Sequence, residues 1–169
     1  TRLASCVGRV GASSRWHLLG ARAALALARA EFGRAERLQG DAVELLEQIG
    51  HPAVHGASVS FRMLLGHHVG HSEDILDPEV WDFGTDPRWA LGSRLFRAFV
   101  LVDCGRTQEA AVLYERCGAP QGWELPRLAV LPVWAVAARV AAALGATDDV
   151  RYLRDRLEPN DVLIVGPNP

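Results

Sequence analysis

The stretch LVDCGRTQEA at residues 101–110 joins the end of one helix to the start of the next. Gly105 follows an apolar segment, and glycine commonly ends a helix because it adopts the left-handed backbone conformation without a steric penalty. Glu109 then falls in the first turn of the following segment, where a carboxylate complements the positive end of the helix dipole. This stretch therefore predicts two helices joined by a tight turn.

The same arrangement occurs four times along the chain. Apolar segments end at glycines that are 37, 35 and 40 residues apart, namely Gly33, Gly70, Gly105 and Gly145. Repeats of this length, each made of a helix pair, bury their apolar faces by stacking on their neighbours. The sequence therefore predicts an all-α fold: a right-handed solenoid of about four antiparallel helix hairpins over residues 1–157, followed by an extended tail over residues 158–169.

Helical periodicity supports these hairpins, with one exception. The first segment repeats apolar residues at helical spacing along one buried stripe, at Trp16, Leu19, Ala23, Leu27 and Ala30. The second hairpin is degenerate, because residues 72–84 contain Pro78 and many acids, so we expect a short helix at residues 73–76 and a loop through Asp86 and Pro87. Four tryptophans are expected in the core or between hairpins: Trp16, Trp89, Trp123 and Trp134.

Two features resemble a known repeat family. Trp16-x-x-Leu19-Gly20 is similar to the opening of a tetratricopeptide (TPR) helix, and Pro52 falls where such a repeat would end. The glycine spacing is slightly longer than the TPR repeat of about 34 residues. The hairpins are therefore described as TPR-like.

Longer segments resemble the helical-repeat region of large bacterial signalling ATPases. The similar segments are SRWH at 14–17, ARAALAL at 21–27, GRAER at 33–37 and LVDCGRTQEA at 101–110. Those proteins join an ATPase domain and TPR-like repeats to a LuxR-type DNA-binding domain or to an adenylate-cyclase-type domain. The resemblance covers most of residues 12–157 and implies a sensing or scaffolding segment. It carries over no ATPase residues, because a chain without lysine has no phosphate-binding loop.

Composition limits the classes of partner. The formal net charge is −2, and all 18 basic residues are arginine, so the chain as a whole has no electrostatic footprint for nucleic acid or for an acidic membrane. Residues 128–144 are apolar apart from Arg139, yet they are fewer than the roughly 20 residues that a membrane span needs.

Cys6, Cys104 and Cys117 lack metal-type spacing and are expected to be reduced, which favours the cytoplasm. Because the chain begins with Thr1, we expect a fragment of a larger protein.

Candidate chemistry is sparse, and we expect no enzyme activity, no metal and no cofactor. His67, His68 and His71, with Asp74 and Asp77 beyond them, are the strongest metal candidate, but Gly70 is expected to end the helix and turn His71 away. No serine or cysteine lies in a nucleophile motif. Six acids within residues 73–86 are expected to form a solvated loop, or alternatively a docking surface for a basic partner.

The remaining candidate surface is the inner face of the solenoid, built from the first helix of each hairpin. We expect it to bind a protein partner or a small-molecule effector through His17, Arg22, Arg62, Arg94 and Arg97. The predicted function is a non-enzymatic interaction or sensing module of a bacterial transcriptional regulator, with no direct nucleic-acid contact by this chain. The alternative is a stand-alone TPR-like adaptor with no DNA-linked role. Exposed end hairpins would also allow self-association.

Overall fold

The computed structural model describes residues 11–50, 54–81, 87–127 and 129–160. Within these ranges the protein is all-helical, as predicted, and contains no β-strand. The α-helices are α1 (Gly11–Ala28), α2 (Phe32–Gln48), α3 (Val54–Val69), α4 (Pro87–Asp103), α5 (Thr107–Glu115), α6 (Val130–Ala143) and α7 (Thr147–Leu157). Short 3₁₀ turns occupy Ser72–Ile75, Pro78–Trp81, Pro120–Gly122 and Glu158–Asn160. None of the helices in these ranges has the length and apolar character that a membrane span requires.

The chain forms two compact units that divide between Val69 and Gly70. In the first unit, α1 and α2 form an antiparallel hairpin. Trp16, near the start of α1, belongs to one buried cluster with Leu46 near the end of α2. Leu27, near the end of α1, belongs to another cluster with Ala35 at the start of α2. Helix α3 adds Phe61 to this second cluster, so three helices share the apolar core of the unit.

The turn between α1 and α2 differs from the prediction. Gly33 was expected to end the first helix, but it lies inside α2, and the residue with a left-handed backbone is Ala30, with φ at 57°. The amide of Ala30 donates to the carbonyl of Leu27 at 2.9 Å, which closes the end of α1. Ala30 is exposed and does not extend the buried stripe. The helix therefore ends earlier than the glycine pattern indicated. The turn that follows it carries a steric cost, because Ala30 has a Cβ and adopts a left-handed backbone conformation.

The second unit contains two further hairpins, α4–α5 and α6–α7. Gly105 and Gly145 have φ values of 72° and 73°, so both glycines end their helices as predicted. Helix α4 packs on α5 and also on α6, the first helix of the next hairpin. The α4–α6 contact is close, because a Cβ placed on Gly92 would lie 3.4 Å from Cγ2 of Val133. The guanidinium of Arg139 lies 5.1 Å from the ring centre of Phe99 across the same contact.

The degenerate second hairpin is built differently from the prediction. The expected short helix at residues 73–76 is replaced by two 3₁₀ turns, and Pro87 begins α4 instead of lying in a loop. Proline is tolerated there because the first helical residue needs no amide donor. Ile75 and Trp81 are buried, and the indole Nε1 of Trp81 donates to the carbonyl of Ile75 at 2.8 Å. The hydroxyl of Ser93 on α4 donates to the carbonyl of Trp81. The predicted loop residue Asp86 lies outside the described residues.

The four tryptophans of the prediction differ in how far they are exposed to solvent. Trp16 is buried, and Trp123 and Trp134 are half-buried, in agreement with the expected packing roles. Trp89 is 42% exposed, so the prediction that it belongs to the core is wrong. It lies in the first turn of α4. Helix α7 ends at Leu157, and of the predicted tail only Glu158–Asn160 is described.

Candidate functional site

In the first unit, all three predicted surface residues are exposed to solvent. His17 and Arg22 are on α1, and Arg62 is on α3. The ring of His17 lies 4.5 Å from the ring of buried Trp16, which restricts its orientation. His17 and Arg22 are five residues apart and point in directions that differ by about 140° around the helix. They therefore do not form one cluster.

In the second unit, Arg94 and Arg97 are one helical turn apart on α4. Arg94 is exposed and Arg97 is half-buried. The Nε atom of Arg97 is buried and has no hydrogen-bond acceptor among the described residues. The positive charge of Arg97 acts to lower the pKa of Glu109 on α5, and that of Arg94 acts to lower the pKa of Cys117.

The neighbouring carboxylate is already engaged. Arg106 donates to Oε1 of Glu109 from Nε and to Oε2 from Nη2, both at 2.6 Å, in a two-pronged exposed pair. This pair lowers the pKa of Glu109, and the positive charge of Arg97 acts in the same direction. Both oxygens of Glu109 are thus engaged by Arg106, and among the described residues neither Arg94 nor Arg97 forms a hydrogen bond with this carboxylate.

The histidine cluster is separated by a helix end. Helix α3 ends at Val69, and Gly70 adopts a φ of 79°, as the sequence indicated. His67 therefore belongs to α3, whereas His71 follows the turn, with its Nδ1 3.7 Å from Oε1 of Glu73. The ring of His68 stacks on Phe32 at 6.3 Å. Across the described ranges, no three His, Cys, Asp or Glu residues are grouped closely enough to hold a metal ion.

The acidic segment after Gly70 is solvated where the structure describes it. Glu73, Asp74, Asp77 and Glu79 are exposed, while Asp82 and Asp86 lie outside the described residues. The amide of Glu79 donates to Oδ1 of Asp77 at 2.9 Å, which is a local turn contact. Within the same segment the apolar Ile75 and Trp81 are buried.

The two described thiols are poor nucleophiles. Burial raises the pKa of Cys117 from 9.0 to about 11, against the opposing charge of Arg94. Burial also raises the pKa of Cys104, and the carboxylates of Glu73 and Asp103 act in the same direction. The thiolate is the reactive form, so both side chains are protonated and slow to react near neutral pH.

A partly buried polar contact joins the two hairpins of the second unit. The Tyr114 hydroxyl on α5 donates to Oδ2 of Asp149 on α7 at 2.9 Å. The Tyr114 ring meets Trp123 edge-on at 6.4 Å, and the Trp123 indole donates to the carbonyl of Cys117 at 2.8 Å. Burial and the Asp149 carboxylate raise the pKa of Tyr114. The sequence analysis assigned Tyr114 to a helix but did not predict its partner.

Sequence reasoning also missed two exposed arginines, one on α1 and one directly after its last residue. Arg15 and Arg29 lie seven residues before and after Arg22, a spacing that returns to the same helix face after two turns. The signal was present in the sequence as a seven-residue period. It was overlooked because arginine is frequent throughout the chain.

Comparison with known proteins adds no relative. The chain matches no protein-family model, no curated protein and no solved structure.

Proposed function

We propose that this chain is a TPR-like repeat module that binds a protein partner or a small-molecule effector for a bacterial transcriptional regulator in the cytoplasm. The observation that carries the proposal is the packing of one hairpin on the next in the second unit. Helix α4 contacts its own partner α5 and also α6, the first helix of the following hairpin. Repeat proteins build extended binding surfaces by this neighbour-on-neighbour packing. In this proposal the same packing is repeated from hairpin to hairpin along the chain and builds a right-handed solenoid.

A binding role without catalysis is supported by the distribution of reactive and charged groups. The thiols of Cys104 and Cys117 have raised pKa values, which disfavours a cysteine nucleophile. The described arginines of the candidate surface present planar donor forks, which suit carboxylates or phosphates. In this proposal the module holds its ligand through these groups, and flanking domains perform the ATP and DNA chemistry.

The gene that encodes the chain provides the first test. Segments that encode an ATPase domain and a LuxR-type DNA-binding domain on either side of residues 1–169 are the expected result. Stop codons at both borders would support the stand-alone adaptor in place of the regulator.

The second test is functional. A full-length regulator that lacks residues 11–160 should still bind its operator DNA, as measured by mobility shift. Its effector-dependent transcription from a reporter promoter should be lost. Normal induction by the deleted protein would contradict the proposed sensing role.

A further inference from the structure

Helix α1 carries a line of alternating arginines and leucines on its exposed side. We call it the Arg/Leu stripe; it consists of Arg15, Leu18, Arg22, Leu25 and Arg29. At about 100° per residue these five positions fall within about 80° of arc. The amide of Arg29 donates to the carbonyl of Leu25 at 3.2 Å, so the helical geometry extends to the last member.

The stripe lies away from the core of its unit. Trp16, Ala23 and Leu27 form the buried face of α1, on the other half of the helix from the stripe. The three arginines are exposed, Leu25 is 48% exposed and Leu18 is half-buried. An isolated exposed leucine is ordinary, but leucines that alternate with cations along one line form a patterned surface.

The positive charge of the stripe is not balanced locally. Helix α1 contains no Asp or Glu. Among the described residues, none of the three arginines forms an ion pair or a side-chain hydrogen bond. By contrast, Arg34 in the same unit pairs with Glu31 at 2.7 Å. As far as the described residues show, the side-chain donors of the three stripe arginines are therefore available to a partner.

We propose that the Arg/Leu stripe binds an acidic amphipathic helix of a partner protein. The arginines repeat every seven residues, about 10.5 Å along the axis, and the leucines follow three residues later. A partner helix with acids at one heptad position and leucines three residues on presents the complementary spacing. The carboxylates would accept from the guanidinium forks, and the leucines would cover Leu18 and Leu25.

An anionic membrane is the less suitable occupant of this face. A helix that inserts into a lipid interface needs a continuous apolar face of its own. The apolar face of α1 is buried in the unit, and the stripe offers only two leucines with an arginine between them. The inference rests on the proposed function, since it names the class of partner that the module would hold.

The test uses a synthetic three-heptad peptide with Glu at the first and Leu at the fourth position of each heptad. Binding to the full chain is measured by fluorescence anisotropy of the labelled peptide. We expect the patterned peptide to bind, and a scrambled peptide of the same composition to bind at least tenfold more weakly. Raising the ionic strength should weaken binding, because exposed charges are screened. Equal affinity for both peptides would overturn the proposal.

Variants locate the contact. Arg22→Glu should weaken peptide binding by about tenfold, since it replaces an exposed attraction by a repulsion. Leu25→Ser should weaken binding without changing its salt dependence. Arg37→Glu is the matched control, because it makes the same charge change at an exposed residue of α2 outside the stripe. Circular dichroism should show equal helix content in all variants. Equal losses in Arg22→Glu and Arg37→Glu would reject a specific site.

Three further outcomes distinguish the stripe proposal, a membrane role and the proposed sensing function. Binding to phosphatidylserine vesicles that Arg22→Glu abolishes, with no peptide binding, would assign the stripe to a membrane and reject the proposal. Normal effector response of the full-length regulator with Arg22→Glu would reject the stripe while the sensing role stands. The third outcome is that the chain binds the peptide, but that its removal from the full-length regulator leaves induction unchanged. This result would reject the sensing role and leave the stripe proposal intact.

Discussion

The hydroxyl of Tyr114 on α5 donates a 2.9 Å hydrogen bond to Oδ2 of Asp149 on α7, and thereby joins the second helices of two successive hairpins. Tyr114 is only 7% exposed and Asp149 is half-buried, so this bond is partly shielded from water. The contact gives the second unit a polar link between hairpins in addition to its apolar core.

Removing this link should destabilise the second unit. Tyr114→Phe keeps the ring but leaves the Asp149 carboxylate without its donor, so we expect a loss of about 1–2 kcal/mol in the free energy of unfolding. Urea denaturation followed by circular dichroism measures the change. Tyr152→Phe is the matched control on α7, since the half-buried Tyr152 has no hydrogen bond to a described residue, and it should change stability by less than about 0.5 kcal/mol. A loss of the same size in both variants would contradict the role of the hydroxyl.

Stability should fall at alkaline pH because of the Cys117 thiol. Its folded pKa is about 11, above the ordinary value of 9.0. Between these values the unfolded chain loses the thiol proton while the folded chain keeps it, so the free energy of unfolding decreases as the pH rises. Cys117→Ala removes this contribution, and urea midpoints from pH 8 to pH 11 should fall less steeply in the variant. Parallel curves for the two proteins would show that the folded thiol pKa is not raised.

The turn after α1 should be improved by glycine. Ala30 holds a φ of 57°, which costs an L-residue about 1 kcal/mol relative to glycine. Ala30→Gly is therefore expected to raise the free energy of unfolding by up to about 1 kcal/mol in thermal or urea denaturation. Gly105→Ala makes the opposite change at a φ of 72° with open space around the new Cβ, and should destabilise by about 1 kcal/mol. Changes of the same sign in both variants would contradict the backbone argument.

The buried indole of Trp81 should hold the acidic segment in place. Trp81→Phe leaves the Ile75 carbonyl without its donor and opens a small cavity, for an expected loss of about 2 kcal/mol. Hydrogen exchange should increase at residues 72–81. The exposed Trp89 offers a matched control, since Trp89→Phe should alter stability by less than about 0.5 kcal/mol. Unchanged exchange in Trp81→Phe would mean that other contacts fix the segment.

The all-α class and several helix ends were predictable from the sequence because glycine and helical periodicity act locally. Gly70, Gly105 and Gly145 adopt the left-handed conformation that their positions required. The prediction for Gly33 was wrong because the pairing of α1 with α2 places the turn at Ala30. The stability of the hairpin core outweighs the preference of a single glycine for the left-handed position. The 3₁₀ turns of residues 72–81 depend on the non-local packing of Trp81 beside Ser93, which periodicity does not encode.

The candidate site was less predictable than the fold. Residue type identified Arg22, Arg94 and Arg97 as candidates, but not which of their neighbours were already paired. The contact of Tyr114 with Asp149 joins two helices, so it requires coordinates, whereas the Arg106–Glu109 pair is an i,i+3 contact that sequence spacing already allows. The seven-residue period of the Arg/Leu stripe was visible in the sequence. The period alone does not show that the stripe is exposed. The structure shows this, because α1 buries its opposite face.

The close approach of α4 to α6 has an evolutionary consequence. A Cβ at position 92 would already lie 3.4 Å from Cγ2 of Val133, so a side chain larger than that of serine would crowd the contact between the two helices. In homologous chains, position 92 should therefore be confined to glycine, alanine or serine. An enlarged residue there should be accompanied by a smaller one at position 133. This coupled variation would be a signature by which related repeats are found where overall similarity is too low to detect them.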